Sequence, residues 1–488
     1  MKKLSRLPAL SNVFYMLSGI VAIVGLAMVP SLVLSLFEDG SMAIVFGGLV
    51  VCLGLVAIIL RLGNYRPSEL TIRDGFFITA LSWISLAVLG SIPFVLGGFI
   101  PSWTDAFFES MSGFTTTGAS ILKDIEKLPD SLLLWRSMTH WLGGMGVIAL
   151  AVAIFPLMGA SGYQLFRAEV PGPTTEKLTP RIRTTAGYLW LVYSGLTLLQ
   201  IILLLTGGMP LLDSVITAFG TMATGGFSNK NASIAAYDSA YLQYVIIVFM
   251  FLAGASFTLH FKALSGRPLS YLRDPEFRFY GLVILGTTMF ILLDRFLVQG
   301  TPVDEAGVRG TLFSVVSIIT TTGFITENYE LWPMASQLVL ILLMLIGGST
   351  GSTSGGIKCI RIQISLKYII TELRKLAHQS SIHLVRLGRT AVPESAIPNV
   401  IAFVLLFLGL FACGVIIIST TGLELDAAIG SVAATLGNVG PGLGSVGPVS
   451  NFSDVSEAGK WVLAFFMLLG RLELWTVLLL FTRRFWVS

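Results

Sequence analysis

Residues 308–324 read V-R-G-T-L-F-S-V-V-S-I-I-T-T-T-G-F, a short apolar segment from Val308 to Ile319 that runs into Thr320, Thr321, Thr322 and Gly323. A dozen residues make roughly 18 Å of helix, well short of the ~30 Å of a bilayer core. The segment therefore reads as a half-helix closed by a turn, and the glycine allows backbone dihedrals barred to other residues. Three other places repeat the plan. Asp105 to Phe114 leads into Thr115, Thr116, Thr117, Gly118 and Ala119. Asp213 to Met222 leads into Ala223, Thr224, Gly225, Gly226 and Phe227. Asp426 to Leu436 leads into Gly437, Asn438, Val439, Gly440 and Pro441. With Gly118, Gly225, Gly323 and Gly440 as equivalents, the copies stand about 100 residues apart, as an internal repeat would.

Each copy lies between longer apolar stretches. These fall near 12–37, 41–61, 76–99, 131–158, 185–208, 239–263, 279–299, 334–376, 397–421 and 458–482, about ten spans of the roughly 20 residues a transmembrane helix needs. The first exceeds the ~7–15 apolar residues of a signal peptide, and Pro30 and Ser35 make no convincing cleavage site, so it reads as a span. The predicted fold is an all-α polytopic membrane protein. Four units of span, re-entrant half-helix, filter loop and span surround one pore, over 71–160, 161–265, 266–378 and 379–488, with two extra spans in 1–70.

Composition agrees. Of 488 residues 54% are hydrophobic and 12% charged, about half the usual charged share. That excludes a soluble enzyme, a disordered scaffold and an ordinary secreted domain. A net charge of +4 implies no large nucleic-acid face. Cys52, Cys359 and Cys413 are scattered and suggest neither a metal site nor a disulfide framework. No resident cofactor is implied. Of the 31 Lys and Arg, 23 fall in alternate loops: Lys2, Lys3 and Arg6; Arg61, Arg66 and Arg73; Arg167, Lys177, Arg181 and Arg183; Lys262, Arg267, Arg273 and Arg278; Lys358, Arg361, Lys367, Arg374, Lys375, Arg386 and Arg389; and finally Arg483 and Arg484. Positive loops stay inside, which predicts two cytoplasmic termini.

Asp105, Asp213 and Asp426 are the predicted half-helix N-caps, while Gly310 leaves the third cap uncertain. The helix C-termini carry partial negative charge and favour a cation. A cation leaving water needs oxygens in place of its hydration shell, and backbone carbonyls aimed at an axis supply them. The predicted filter is Thr116, Thr117, Gly118, Ala223, Thr224, Gly225, Thr321, Thr322, Gly323, Asn438, Val439 and Gly440. K⁺ sites are expected at Thr117, Gly118, Thr224, Gly225, Thr322, Gly323, Val439 and Gly440. Threonine hydroxyls either add oxygens or tie the loop to its surroundings. Small residues recur after each turn, at Gly143-Gly144, Gly254-Ala255-Ser256, Gly347-Gly348 and Gly470. Close helix packing accounts for most of these, Gly143 and Gly254 included. Glu109 either shapes the outer potential or, the preferred reading, satisfies a nearby backbone amide.

The third unit is broken. Met334 to Ile346 is only about 20 Å of helix. Then follow Gly347, Gly348, Ser349, Thr350, Gly351, Ser352, Thr353, Ser354, Gly355 and Gly356, through which no stable helix continues. An apolar helical pattern resumes at Ile357. The loop is a candidate gate beside the path; the alternative is a cytoplasmic linker. Residues 347–351 also fit G-x-S-x-G, so an intramembrane serine hydrolase at Ser349 is a remote alternative, lacking the strand-turn-helix context and a paired His. Residues 351–358 approach a P-loop, but Ile357 separates Gly356 from Lys358. His378 and His383 sit in a basic loop as solvated residues. Arg471 lies roughly 18 Å along a helix from Arg483, too deep for easy snorkelling. It is predicted to hydrogen-bond the 347–356 loop; the alternative is local pairing with Glu473, which points to another helix face.

The TTTG turns, the ATGGF and GNVG turns, the GGSTGSTSGGIK loop and the GRLE stretch at Gly470–Glu473 together resemble the Trk/Ktr/HKT superfamily of potassium transporters. The resemblance covers about 70–484, and the two added N-terminal spans resemble the bacterial TrkH-type subunit. It implies filter glycines at 118, 225, 323 and 440, a gating loop at 347–356 and a loop-contacting Arg471. It also implies a homodimer with a cytosolic TrkA-type nucleotide-binding regulatory subunit. The expected function is K⁺ uptake across a bacterial inner membrane, with Na⁺ or Rb⁺ as further permeant ions. An H⁺- or Na⁺-coupled potassium symporter is the alternative to a gated channel.

Overall fold

The computed structural model describes residues 10–38, 40–63, 72–157, 182–377, 384–388 and 390–486. Lys2, Lys3, Arg6, Arg66, Arg167, Lys177, Arg181, His378, His383 and Arg389 lie outside them. The described chain is helical apart from a two-residue hairpin that pairs Arg386 with Ala391 and Leu387 with Thr390.

One order of elements recurs four times: long helix, short helix, irregular turn, 3₁₀ turn, helix. The long helices are Ile72–Leu96, Ile182–Thr206, Pro275–Gln299 and Ile397–Ser419. The short ones are Trp103–Phe114, Leu211–Met222, Glu305–Ile319 and Leu425–Leu436. The closing helices are Asp130–Leu157, Ala240–Ala253, Met334–Ile346 and Glu457–Arg471. Ahead of these units, Leu10–Ala27, Val29–Ser35 and Ser41–Leu62 pack on the first unit. Pro30 opens the second of these helices just past the joint at Met28, because its missing N–H costs nothing in a first turn. Glu38 ties this module to the pore units by accepting from the Ser131 amide (2.7 Å) and hydroxyl (2.6 Å).

The short helices form the centre. Their last residues, Phe114, Met222, Ile319 and Leu436, are all fully buried. Their caps correct the expectation. Ser102 caps the first, accepting from the Asp105 amide at 3.3 Å. Pro210 and Glu424 begin the second and fourth without a side-chain cap. The best-capped is the third, where Asp304 accepts from Gly307 N at 2.8 Å. The three aspartates are used instead for tertiary contacts or sit one turn in: Asp105 pairs with Lys460 (2.7 Å), and Asp213 accepts from Asn229 (2.6 Å) and Tyr237 (2.7 Å). A half-helix inside a bundle has polar neighbours at its mouth, so an acid in the first turn finds a side-chain partner there.

Six of the ten expected spans are single helices of membrane-crossing length and apolarity, and two bent pairs raise that to eight among the described residues. The other two stretches are Asp130–Leu157 and the broken pair Met334–Ile346 and Cys359–Ala377. The small-residue positions behave differently from one another. Asp130–Leu157 runs unbroken through Gly143-Gly144, where the Phe114 backbone and Ala223 pack directly on the glycines. The helix ending at Ala253 turns by 100° into Phe257–Leu264, and Glu457–Arg471 turns by 119° beyond Leu472. That second bend falls after Gly470, at Glu473, a non-glycine residue with φ 58°.

Candidate ion pathway and crossing loop

Each short helix ends in the same backbone figure. Thr115, Ala223, Thr320 and Gly437 are the C-cap residues. The next residues, Thr116, Thr224, Thr321 and Asn438, all have φ between 52° and 58°. One residue further, Thr117, Gly225, Thr322 and Val439 donate their amides five residues back, to Ser112, Gly220, Ser317 and Ala434 at 2.8–2.9 Å. Then come Gly118, Gly226, Gly323 and Gly440, with φ of 84°, 77°, 78° and 102°. A bond of this kind recovers a carbonyl that the helix end would orphan.

This figure corrects the register of the second copy. Gly226, not Gly225, stands with Gly118, Gly323 and Gly440. Gly225 takes the place of Thr117, Thr322 and Val439, and Ala223 falls back to the helix cap. Two adjacent glycines leave the sequence no means of choosing, since only the left-handed φ distinguishes them.

The four turns close a ring. A Cβ on Gly118 would collide with the Gly225 carbonyl, one on Gly226 with the Thr322 carbonyl, and one on Gly323 with the Val439 carbonyl. One on Gly440 would lie 2.8 Å from the Thr117 carbonyl. Each turn thus rests its glycine on the carbonyl of the next, and the fourth returns to the first. The threonines of copies one and three tie their own turns: Thr115 Oγ1 meets Thr117 Oγ1 at 2.7 Å and Thr320 Oγ1 meets Thr322 Oγ1 at 2.8 Å. Asn438 braces the last joint, donating to Thr117 Oγ1 (3.0 Å) and the Met467 carbonyl (2.9 Å).

The joint between copies one and two holds a buried cluster that the sequence reading missed. Glu109 pairs with Arg136 at 2.7 Å and accepts from the Ile121 amide (2.9 Å) and Ser120 hydroxyl (2.9 Å). Arg136 donates to the Ser228 carbonyl (3.0 Å) and lies 3.5 Å over the Phe227 ring. His140 stacks on the same Phe227 ring at 3.9 Å and meets the Gly113 carbonyl at 2.7 Å. Glu109 therefore serves a backbone amide, as preferred, and a serine hydroxyl and an arginine besides. Arg136 stands in an apolar helix stretch, and that lone charge was the available signal.

The 347–356 loop crosses beneath the ring, touching the second, third and fourth units directly and reaching the first through Arg471. Its neck is pinched: Lys358 N donates to Ile346 O at 2.7 Å and Cys359 N to Gly348 O at 3.0 Å. Thr353 Oγ1 donates to the Met222 carbonyl at 3.0 Å. Gly355 N donates to Thr321 Oγ1 at 2.8 Å, and Gly355 packs on the Gly437 carbonyl. Arg471 donates to the Thr353 carbonyl at 2.5 Å and to the Gly143 carbonyl at 2.9 Å, joining loop to first unit. Glu473 does not pair with Arg471; it pairs with Arg361 at 2.6 Å. Gly143 is thus a hydrogen-bond acceptor as well as a packing glycine. The Ser349 hydroxyl is buried without a partner, and both described histidines are engaged elsewhere: His140 at Gly113, His260 at Tyr271 (2.5 Å) and the Leu252 carbonyl (2.8 Å). No His base serves Ser349 among the described residues. No cluster of metal-ligating side chains occurs among them either.

Long apolar helices around a closed ring of backbone turns define a polytopic membrane transport protein. The chain belongs to the TrkH family of cation transport proteins, whose family model matches residues 42–486. It is 39% identical to the Trk system potassium uptake protein TrkH of Halomonas elongata, over 94% of this chain and 96% of that one. It is 39% identical to the protein of the same name from Escherichia coli K12, over 95% and 96%. The crystal structure of the potassium transporter TrkH from Vibrio parahaemolyticus superposes with a TM-score of 0.88 at 34% identity, covering 98% of this chain and 99% of that one. The family is one of transporters, so the chain is a transport protein and not an enzyme.

Proposed function

We propose that this protein takes up K⁺ through the ring of turns, with the 347–356 loop as its gate. The observation that carries the reading is the cyclic packing of Gly118, Gly226, Gly323 and Gly440 on the carbonyls of Gly225, Thr322, Val439 and Thr117. A ring closed by backbone keeps its carbonyl spacing whatever its side chains are, and carbonyl spacing and field strength are what a filter uses. K⁺ contacts are assigned to Thr117, Gly118, Gly225, Gly226, Thr322, Gly323, Val439 and Gly440. The gate assignment draws on the loop's burial beneath the ring and its tether to Arg471. Related proteins named for potassium uptake supply the ion.

On this reading the protein works in a bacterial inner membrane with both termini cytoplasmic, as a homodimer with a TrkA-type regulatory subunit; the positive loops support the orientation and the Trk system names of its relatives support the partner. The test is Rb⁺ uptake into proteoliposomes with Na⁺ as competitor. Uptake above empty vesicles, displaced by K⁺ more than by Na⁺, is expected; uptake equal to empty vesicles overturns the reading. Reversal potentials that follow the K⁺ gradient alone identify a channel, and a dependence on H⁺ or Na⁺ gradients identifies symport.

A further inference from the structure

Glu276 opens the helix Pro275–Gln299, next to the capping Asp274, and its side chain is buried. One carboxylate oxygen accepts the Thr350 amide of the crossing loop at 2.7 Å and the Ile360 amide at 3.2 Å. Thr350 is at the far side of the loop and Ile360 in the first turn of the helix Cys359–Ala377. Glu276 makes no ion pair among the described residues. A buried carboxylate without a counter-ion depends on such amides, and its own helix N-terminus adds to them. Arg471 holds the loop through the Thr353 carbonyl, and Glu276 holds it through the Thr350 amide.

We propose that Glu276 is a positioning residue of the gate, which keeps the 347–356 loop across the path by binding its Thr350 amide and the first turn beyond it. The assignment rests on the loop being the gate. The loop cannot shift at Thr350 without leaving a buried carboxylate one donor short.

The test is Rb⁺ uptake by the full chain in proteoliposomes, with the Rb⁺/Na⁺ preference measured alongside. Glu276→Ala is expected to raise initial uptake about tenfold, the size of a lost hydrogen bond to a charged group. Glu276→Asp, one methylene too short to reach both amides, is expected to do the same. Glu276→Gln keeps the acceptor oxygen and is expected within about threefold of wild type. The Rb⁺/Na⁺ preference stays unchanged in all three. Where the alanine variant fails to reach the membrane, the aspartate and glutamine pair carries the comparison. Wild-type or lower uptake in a folded Asp or Ala variant overturns the proposal, and so does an altered ion preference. A wild-type protein with no uptake instead overturns the transport reading, and the gate assignment falls with it.

Discussion

The ring of turns and the crossing loop are both irregular backbone inside a helical bundle, and they are held in opposite ways. Each turn of the ring is bonded to its own half-helix, and the turns meet glycine to carbonyl. At the position that donates its amide back to the half-helix the side chain varies, threonine in copies one and three, glycine at Gly225 and valine at Val439, without altering the figure. Beyond its pinched neck and a few internal serine bonds, the loop is tied to distant elements: Glu276, the Gly254 carbonyl (from Ser349 N, 2.8 Å), Thr321 and Arg471. Local bonds make a part that is rigid and repeatable. Long-range tethers make a part whose hold depends on several separate contacts. Under the proposed function, ion choice belongs to the backbone of the ring and opening to the side chains that tether the loop.

The comparison breaks first at the ring. Gly323→Ala puts a methyl against the Val439 carbonyl at a residue with φ 78°. Left-handed strain and overpacking together cost about 2–5 kcal/mol, so Rb⁺ flux is expected to vanish in protein that still reaches the membrane. Retained flux would mean the ring is not the path. The register of the second copy sharpens the point. Gly226→Ala meets the Thr322 carbonyl, a backbone atom held in its own turn, whereas the atoms nearest a Cβ on Gly225 are those of the His140 ring, at 2.6 Å. Flux in Gly225→Ala is expected to recover in part with His140→Ala, and flux in Gly226→Ala is not. Equal behaviour of the two would return the register to Gly225.

The loop is expected to respond in rate rather than in ion preference. Arg471→Ala removes bonds to two buried carbonyls, each worth about 1.5–3 kcal/mol when charged. Open probability in single-channel records should rise about tenfold or more with the K⁺/Na⁺ permeability ratio unchanged. A changed ratio would place Arg471 in the filter. Thr321→Val removes the acceptor of one neutral bond from Gly355 N, worth about 0.5–1.5 kcal/mol. Its effect on open probability should be only a few-fold. The smallest effect belongs to Lys123→Met at the rim. Lys123 and Asp454 form an exposed pair at 3.0 Å, and the bond from Lys123 holds the Asp454 carboxyl below its ordinary range. Such a pair is screened by water and salt, so flux and melting temperature should match wild type.

Part of this was legible in the residues. The half-helix lengths, the recurring Gly turn and the end of a helix at Ile346 all follow from local chemistry, as does the loss of helix over 347–356. Gly143-Gly144 and Gly347-Gly348 show where local reading stops. Both are Gly-Gly at one place in their units, but the first is followed by Met145, Gly146, Val147, Ile148 and Ala149 and stays helical. The second is followed by eight residues drawn from Gly, Ser and Thr, and the helix ends. The N-caps were misread because Asp105 and Asp213 serve partners hundreds or tens of residues away, Lys460 and Tyr237 among them.

Low charge, apolar stretches and a period of about 100 residues determined a helical membrane protein with four similar units. These are properties of segments, and each segment carries them alone. Tertiary structure decided which of two adjacent glycines enters the ring, that Arg136 answers Glu109, and that Glu276 meets Thr350. A φ angle, a buried pair and a hydrogen bond across 74 residues exist only once the units have closed on one another, so no single segment could announce them.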